Sequence, residues 1–160
     1  PVVFGIGAAM TAMVGACIGA GDRARALRVA WTGSLAAAVI VGGVGLVCAL
    51  APDLWLGLFL PAEAEASRAA GRAYFGLVGP FYGFFALGLA LYFASQGAGR
   101  VLWPVLGGFA RLFVAIGGGL LAVEVLDLGL RGVFGAVALG MLVYGLMTAA
   151  AIRMGAWGRP

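Results

Sequence analysis

The chain has 160 residues, of which 64% are hydrophobic and only 10% charged, with ten Lys or Arg, six Asp or Glu and no His. A soluble domain carries about 25% charged residues, so this composition cannot cover a water-facing surface. The formal net charge of +4 comes from arginines that sit mostly in short loops. They form no stripe that could follow a phosphate backbone, which argues against nucleic-acid binding.

Five apolar runs follow one another along the chain, at residues 2–19, 30–51, 73–95, 101–123 and 132–152. A hydrocarbon core about 30 Å thick is crossed by about 20 residues of helix. The runs lack the alternating polarity of barrel strands, the only other structure that spans a bilayer. The sequence therefore predicts an all-α, polytopic transmembrane bundle of five spans. A short interfacial turn of helix is predicted at residues 53–60, between two prolines.

The loop charges predict an orientation. Arginines dominate the first loop, the third loop and the tail, which carries Arg153 and Arg159, whereas the loops at 53–72 and 124–131 hold most of the acids. By the positive-inside rule the arginine-rich side is cytoplasmic, which puts the chain start outside and the chain end inside a cell (inner) membrane. The chain starts directly in a span, without Met, so we expect a fragment.

The four tryptophans are expected at the membrane interface, with the ring in lipid and the N–H in water. Trp31, Trp103 and Trp157 lie near predicted cytoplasmic ends, and Trp55 lies near an external one.

Aromatic residues crowd the third run around Pro80, which removes a backbone hydrogen bond and predicts a kink. Packing and lipid contact are one interpretation; an aromatic wall for a flat lipophilic compound, with a cation held on ring faces, is the other. Methionines in the first run either pack in the core or add an adaptable surface to such a cavity. The substrate-pathway candidates are Met10, Met13, Pro80, Phe81, Tyr82, Phe84 and Phe85.

Arg111 is a charge inside the fourth run, about 10–16 Å from its cytoplasmic edge. Its side chain either extends back to the headgroups or pairs with a carboxylate or carbonyl groups in a missing part of the protein. Without His or a carboxylate deep in a span, the sequence offers no catalytic triad. Cys17 and Cys48 both lie in apolar runs, so neither a metal site nor an enzyme is expected.

Two Gly-Ala-Gly turns follow predicted helix ends: VGACIGAGDRARA at residues 14–26, and SQGAGR at residues 95–100 with a proline at 104. Glycine ends each helix and permits the tight turn, which singles out Gly19, Gly21, Gln96, Gly97 and Gly99. This pair resembles the carboxy-terminal lobe of multidrug and toxic compound extrusion (MATE) transporters. That family has a VGQxxGAG-type motif before an Arg-Ala-rich loop, and QGAG with a following proline two helices later. LFLP at 58–61, GRAYF at 71–75 and Arg111 also resemble the family.

The resemblance covers essentially residues 1–160 and implies the last five helices of a twelve-helix transporter. It implies secondary active efflux of lipophilic, cationic compounds by Na+ or H+ antiport with alternating access. The implied partners are the bilayer, the missing amino-terminal helices and the substrates. Ala16 stands where the family usually has Gln, and the run at 73–95 lacks the Asp that some members use for cation coupling. The coupling site is therefore expected outside this fragment. A lipid-linked oligosaccharide flippase, whose cavity should be rich in Arg and Lys, and a non-transporting membrane subunit remain alternatives.

Overall fold

The computed structural model describes residues 1–61 and 63–158, and within them the chain forms helices and no strand. The elements are α1 (Val2–Gly19), α2 (Arg23–Leu50), α3 (Pro52–Phe59), α4 (Glu65–Val78), a 3₁₀ turn (Gly79–Phe81), α5 (Tyr82–Gly97), α6 (Leu102–Glu124) and α7 (Gly129–Arg153). Five stretches are long and apolar enough to cross a membrane, the third being Glu65–Gly97. The predicted all-α bundle of about five spans is therefore confirmed.

Two helix starts differ from the sequence prediction by seven or eight residues, and α7 begins three residues before the predicted run at 132–152. Helix α2 begins seven residues before the apolar run at 30–51, because Asp22 caps it: its carboxylate accepts a hydrogen bond from the backbone N–H of Arg25 at 2.9 Å. The loop predicted at 53–72 is helical from Glu65 onwards as well as in the predicted short helix α3. Ala62 of that loop and Arg159 of the tail lie outside the described residues.

Ion pairs explain why the second loop folds into α3 and the start of α4. Asp53 of α3 accepts hydrogen bonds from Arg72 at 3.0 Å and from Arg68 at 3.2 Å, and Arg72 also reaches Glu65 at 3.1 Å. Desolvation alone would raise the pKa of Asp53, but the two arginines outweigh it and hold the pKa below its usual value. These bonds fasten α3 across the first turns of α4.

The break predicted at Pro80 is present as the 3₁₀ turn between α4 and α5. Helix α2 crosses this break closely, because glycines face each other on both sides. A Cβ placed on Gly79 would lie 2.6 Å from the carbonyl oxygen of Gly45, and one on Gly83 would lie 3.3 Å from the Cα of Gly42. Small residues of this kind let helix backbones approach in lipid, where packing rather than the hydrophobic effect holds helices together.

Helix α5 lies at the centre of the bundle, against α1, α2 and α7, whereas α6 packs mainly on α7. The buried core shared by α1, α2, α5 and the end of α7 is built mostly of small residues: Val3, Met10, Val14, Ala26, Ala30, Ala37, Ala86, Ala90, Leu91, Ala94, Ile152 and Trp157. Large apolar side chains such as Phe113, which is 75% exposed, point outwards. This distribution fits a bundle whose outer surface meets hydrocarbon.

Three helices end in the same kind of turn at one end of the bundle, where α1, α5 and α7 finish. A glycine with positive φ follows each helix: Gly21 (φ 76°), Gly99 (φ 65°) and Gly155 (φ 92°). The next backbone N–H reaches back into the helix, as from Asp22 to the carbonyl of Cys17 at 2.9 Å. We call this the basic end, because its turns are flanked by arginines. The third turn was not singled out from the sequence.

Candidate functional site

An apolar cavity of about 410 Å³ lies between α1, α2, α4, α5 and α7, near the end of the bundle opposite the basic end. We call it the aromatic cavity and define it by its lining: Pro1, Val2, Val3, Phe4, Ile40, Val41, Val44, Tyr74, Tyr82, Phe85, Leu89 and Met141. None of these lining residues has a charged side chain. The volume lies in the range of small-molecule sites.

Contacts between helices fix the aromatic side chains of this cavity. The hydroxyl of Tyr82 donates a hydrogen bond to the hydroxyl of Tyr74 at 3.4 Å, which joins α5 to α4 across the 3₁₀ turn. The ring of Tyr74 meets Phe134 of α7 edge-on, with centroids 5.2 Å apart, and the ring of Phe85 lies 6.0 Å from that of Tyr144. The cavity thus offers ring faces and phenol hydroxyls on a braced wall.

The structure brings only two of the predicted pathway residues, Tyr82 and Phe85, into this cavity. Pro80 and Phe84 line a separate groove of about 250 Å³ beside α2, and the ring of Phe81 lies 6.3 Å from that of Phe84. The aromatic residues around Pro80 therefore lie on different faces of α5. Tyr74 and Phe4 were not among the candidates, although Tyr74 lies one or two helical turns before Pro80 on the same apolar run.

The two candidate methionines lie in a third place, a groove of about 550 Å³ between α1 and α2. Met10 is 3% exposed and packs on Gly33, where an added Cβ would lie 2.5 Å from its sulfur. Met13 is 53% exposed. Arg25 and Arg28 also line this groove. Met10 is thus part of the core, and neither methionine lines the aromatic cavity.

Arg111 lies behind the aromatic cavity. Its guanidinium carbon is 4.6 Å from the centroid of the Phe85 ring, a ring that the cavity also uses. Its backbone oxygen and Cγ pack on Gly140 of α7. Within residues 1–61 and 63–158 it forms no ion pair and no hydrogen bond through its guanidinium group.

The two Gly-Ala-Gly turns are connected through the crossing of α1 and α5. Gly97, the last residue of α5, packs on the backbone of α1, where an added Cβ would lie 3.1 Å from the nitrogen of Gly15. One helical turn away, the hydroxyl of Thr11 lies 2.9 Å from the carbonyl oxygen of Phe93. Gly19 is the last residue of α1. In the second turn, the backbone carbonyl of Gln96 accepts a hydrogen bond from the backbone N–H of Gly99. The two motifs together therefore fix how α1 and α5 cross.

The prediction that Trp157 has its N–H in water is wrong. Trp157 is 5% exposed, and its indole N–H donates a hydrogen bond to the hydroxyl of Ser95 at 3.1 Å. The turn at Gly155 reverses the chain at the basic end of the bundle. The ring of Trp157 therefore joins the buried core formed with residues of α1, α2 and α5. Nothing in the sequence pairs these residues, which lie 62 positions apart.

The described residues contain no group of three His, Cys, Asp or Glu that could hold a metal ion.

The family model MatE matches residues 2–121, from the first residue of α1 to near the end of α6. The chain belongs to the MatE family. It is therefore a multi-pass membrane protein of a transporter family. No curated protein and no solved structure matches the chain.

Proposed function

We propose that this member of the MatE family exports lipophilic, cationic compounds from the cell in exchange for Na+ or H+. The observation that carries the proposal is the aromatic cavity, held between five helices of a chain that belongs to a transporter family. Its ring faces attract a cation electrostatically and its apolar walls bind the rest of a flat molecule. No covalent chemistry is needed.

The charge distribution supports an orientation for this transport. The basic end carries Arg23, Arg25, Arg28, Arg100 and Arg153, and by the positive-inside rule it is cytoplasmic. The aromatic cavity then lies in the outer half of the membrane. We propose that this bundle forms the carboxy-terminal lobe of a twelve-helix protein in the cell membrane. Rocking against the other lobe would expose the cavity to each side in turn.

The coupling cation is proposed to bind outside this chain, since the lining of the aromatic cavity contains no carboxylate. The same lining favours a cationic compound over a lipid-linked oligosaccharide as the substrate. Pyrophosphate-linked sugars require Arg or Lys in the cavity, and the lining has neither. Arg111 contacts Phe85 from outside the lining, so its guanidinium group is not itself one of the groups that line the cavity.

Efflux of a lipophilic cationic dye from cells that express the full-length protein tests the proposal, with the Na+ and pH gradients collapsed separately. We expect efflux to stop when one of the two gradients is removed. Tyr82→Ala and Phe85→Ala should each reduce efflux several-fold, because each removes a ring of the cavity. Phe113→Ala, on the exposed face of α6, is the matched control and should leave efflux unchanged. Efflux that ignores both gradients, or that depends equally on all three rings, would contradict the proposal.

A further inference from the structure

Arg111 carries a charge in the interior of a membrane-spanning helix. It lies nine residues beyond Leu102, about 14 Å along α6, and 13 residues before Glu124, about 20 Å. A charged side chain at such a depth is unfavourable unless it is paired, or unless it reaches the headgroups. Its contacts show which of these solutions the chain uses.

The guanidinium group does not extend towards the turn at Gly99. It lies over the ring of Phe85, twelve residues before the end of α5 at Gly97, and therefore about 18 Å along that helix from the basic end. Phe85 covers one face of the planar cation but accepts none of its five N–H donors. The charge is thus held at depth, with its hydrogen-bonding edge unused by the described residues.

An open groove leads to Arg111 from outside α6. It has a volume of about 420 Å³ and is lined by residues of α6: Val105, Gly108, Phe109, Arg111, Leu112 and Ala115. Among the described residues that line it, only Arg111 has a charged side chain. An added Cβ at Gly108 would meet no atom within 4 Å, so the groove is open there. One charged group in an otherwise apolar groove is typical of a site that binds a single acidic group.

We propose that Arg111 binds a buried carboxylate. A carboxylate matches a guanidinium group with two parallel hydrogen bonds and cancels its charge in a medium of low dielectric constant. The carboxylate belongs either to an acidic amphiphile in the groove or to an acidic side chain of the full-length protein. The inference needs α6 to span the membrane and does not depend on antiport or on a cationic substrate.

The substitution Arg111→Gln in the purified full-length protein tests the proposal, with the probes 11-(dansylamino)undecanoic acid and its methyl ester and with thermal unfolding. If the carboxylate comes from a ligand, the variant binds the acid about tenfold or more weakly, since hydrogen bonds to charged groups have that magnitude, and binds the ester unchanged. Arg111→Lys should retain most of the preference for the acid. Arg131→Gln, at an exposed position in α7, is the matched control.

If the carboxylate is a side chain, Arg111→Gln instead lowers the unfolding temperature, because the acid is left buried and unpaired. Changing the partner residue, one intramembrane Asp or Glu, to Asn or Gln in the Arg111→Gln variant then restores the unfolding temperature. Either of these two results supports the proposal. It is overturned if Arg111→Gln changes acid and ester binding equally and no acid substitution restores any stability that is lost.

Discussion

The contact between α2 and the 3₁₀ turn makes a prediction that two neighbouring glycines can test. Gly45 is buried, and an added methyl group would lie 2.8 Å from the Cβ of Tyr82 and closer still to the carbonyl oxygen of Gly79. The carbonyl oxygen of Gly79 belongs to the backbone and the Cβ of Tyr82 is bonded directly to it. Neither atom can turn aside, so α2 would have to move away from the segment Gly79–Tyr82. Two positions earlier, Gly43 is exposed, and an added methyl group would meet nothing within 4 Å.

The expected free energies have opposite signs. Gly45→Ala should lower the unfolding free energy by about 1–3 kcal/mol, the range for overpacking a tight interface. Gly43→Ala should raise it by about 0.5–1 kcal/mol, because Ala is the better helix former. The two variants should therefore differ by about 1.5–4 kcal/mol, although each adds one methyl group to the same helix.

Unfolding of the purified full-length protein by increasing amounts of SDS in mixed micelles measures this difference. Gly45→Ala should also reduce dye efflux, because its methyl group displaces Tyr82 in the wall of the aromatic cavity. Equal stabilities of the two variants would refute the reasoning, since they would show that α2 does not press on the 3₁₀ turn at Gly45.

Three further predictions concern other parts of the bundle. Trp157→Phe and Ser95→Ala should each destabilise the protein by about 1–3 kcal/mol in thermal or SDS unfolding, because each leaves a buried polar group unpaired. The double variant should lose less stability than the sum of the two single losses. Additive losses would contradict the hydrogen bond between the two side chains. Asp53→Asn should lower the unfolding temperature at pH 7, and the difference should shrink as the pH falls below about 4. The folded-state pKa of Asp53 is lowered, so its stabilisation is present above the ordinary pKa of about 4 and is lost as the pH falls through the folded value; a difference independent of pH would be the opposite result. Pro80→Ala should leave stability unchanged or higher, since proline is unfavourable in a helix, yet reduce efflux if the 3₁₀ turn serves as a bend during transport; unchanged efflux would remove that role.

Hydropathy and glycine spacing are enough to predict the spans and two of the turns. The bilayer sets the length of each apolar run, and Gly21 and Gly99 adopt a backbone conformation that other residues rarely adopt. Both signals are local. The break at Pro80 is equally local, because proline lacks the N–H that a continuing helix requires.

The division of the aromatic residues among cavities could not be predicted, because a helix that is apolar all round gives no signal of its rotation. Tyr82 and Phe84 are two positions apart in the same apolar run, yet they line different grooves. Which face of α5 meets the cavity is decided by glycines on α2 and α7, such as Gly145, which packs on the backbone of Phe84. Likewise, the burial of Trp157 depends on the turn at Gly155, and its partner lies in another helix.

The shared ring of Phe85 connects the two proposed sites. The guanidinium carbon of Arg111 is 4.6 Å from the centroid of this ring. A cation bound in the aromatic cavity against the same ring would be about 9 Å from the guanidinium charge, where the repulsion is about 2 kcal/mol at an effective dielectric constant of about 20. A carboxylate on Arg111 would cancel most of this repulsion, which corresponds to about 30-fold in affinity for the cation. Occupation of the Arg111 site would therefore favour cation binding in the cavity, and release of the carboxylate would favour its loss.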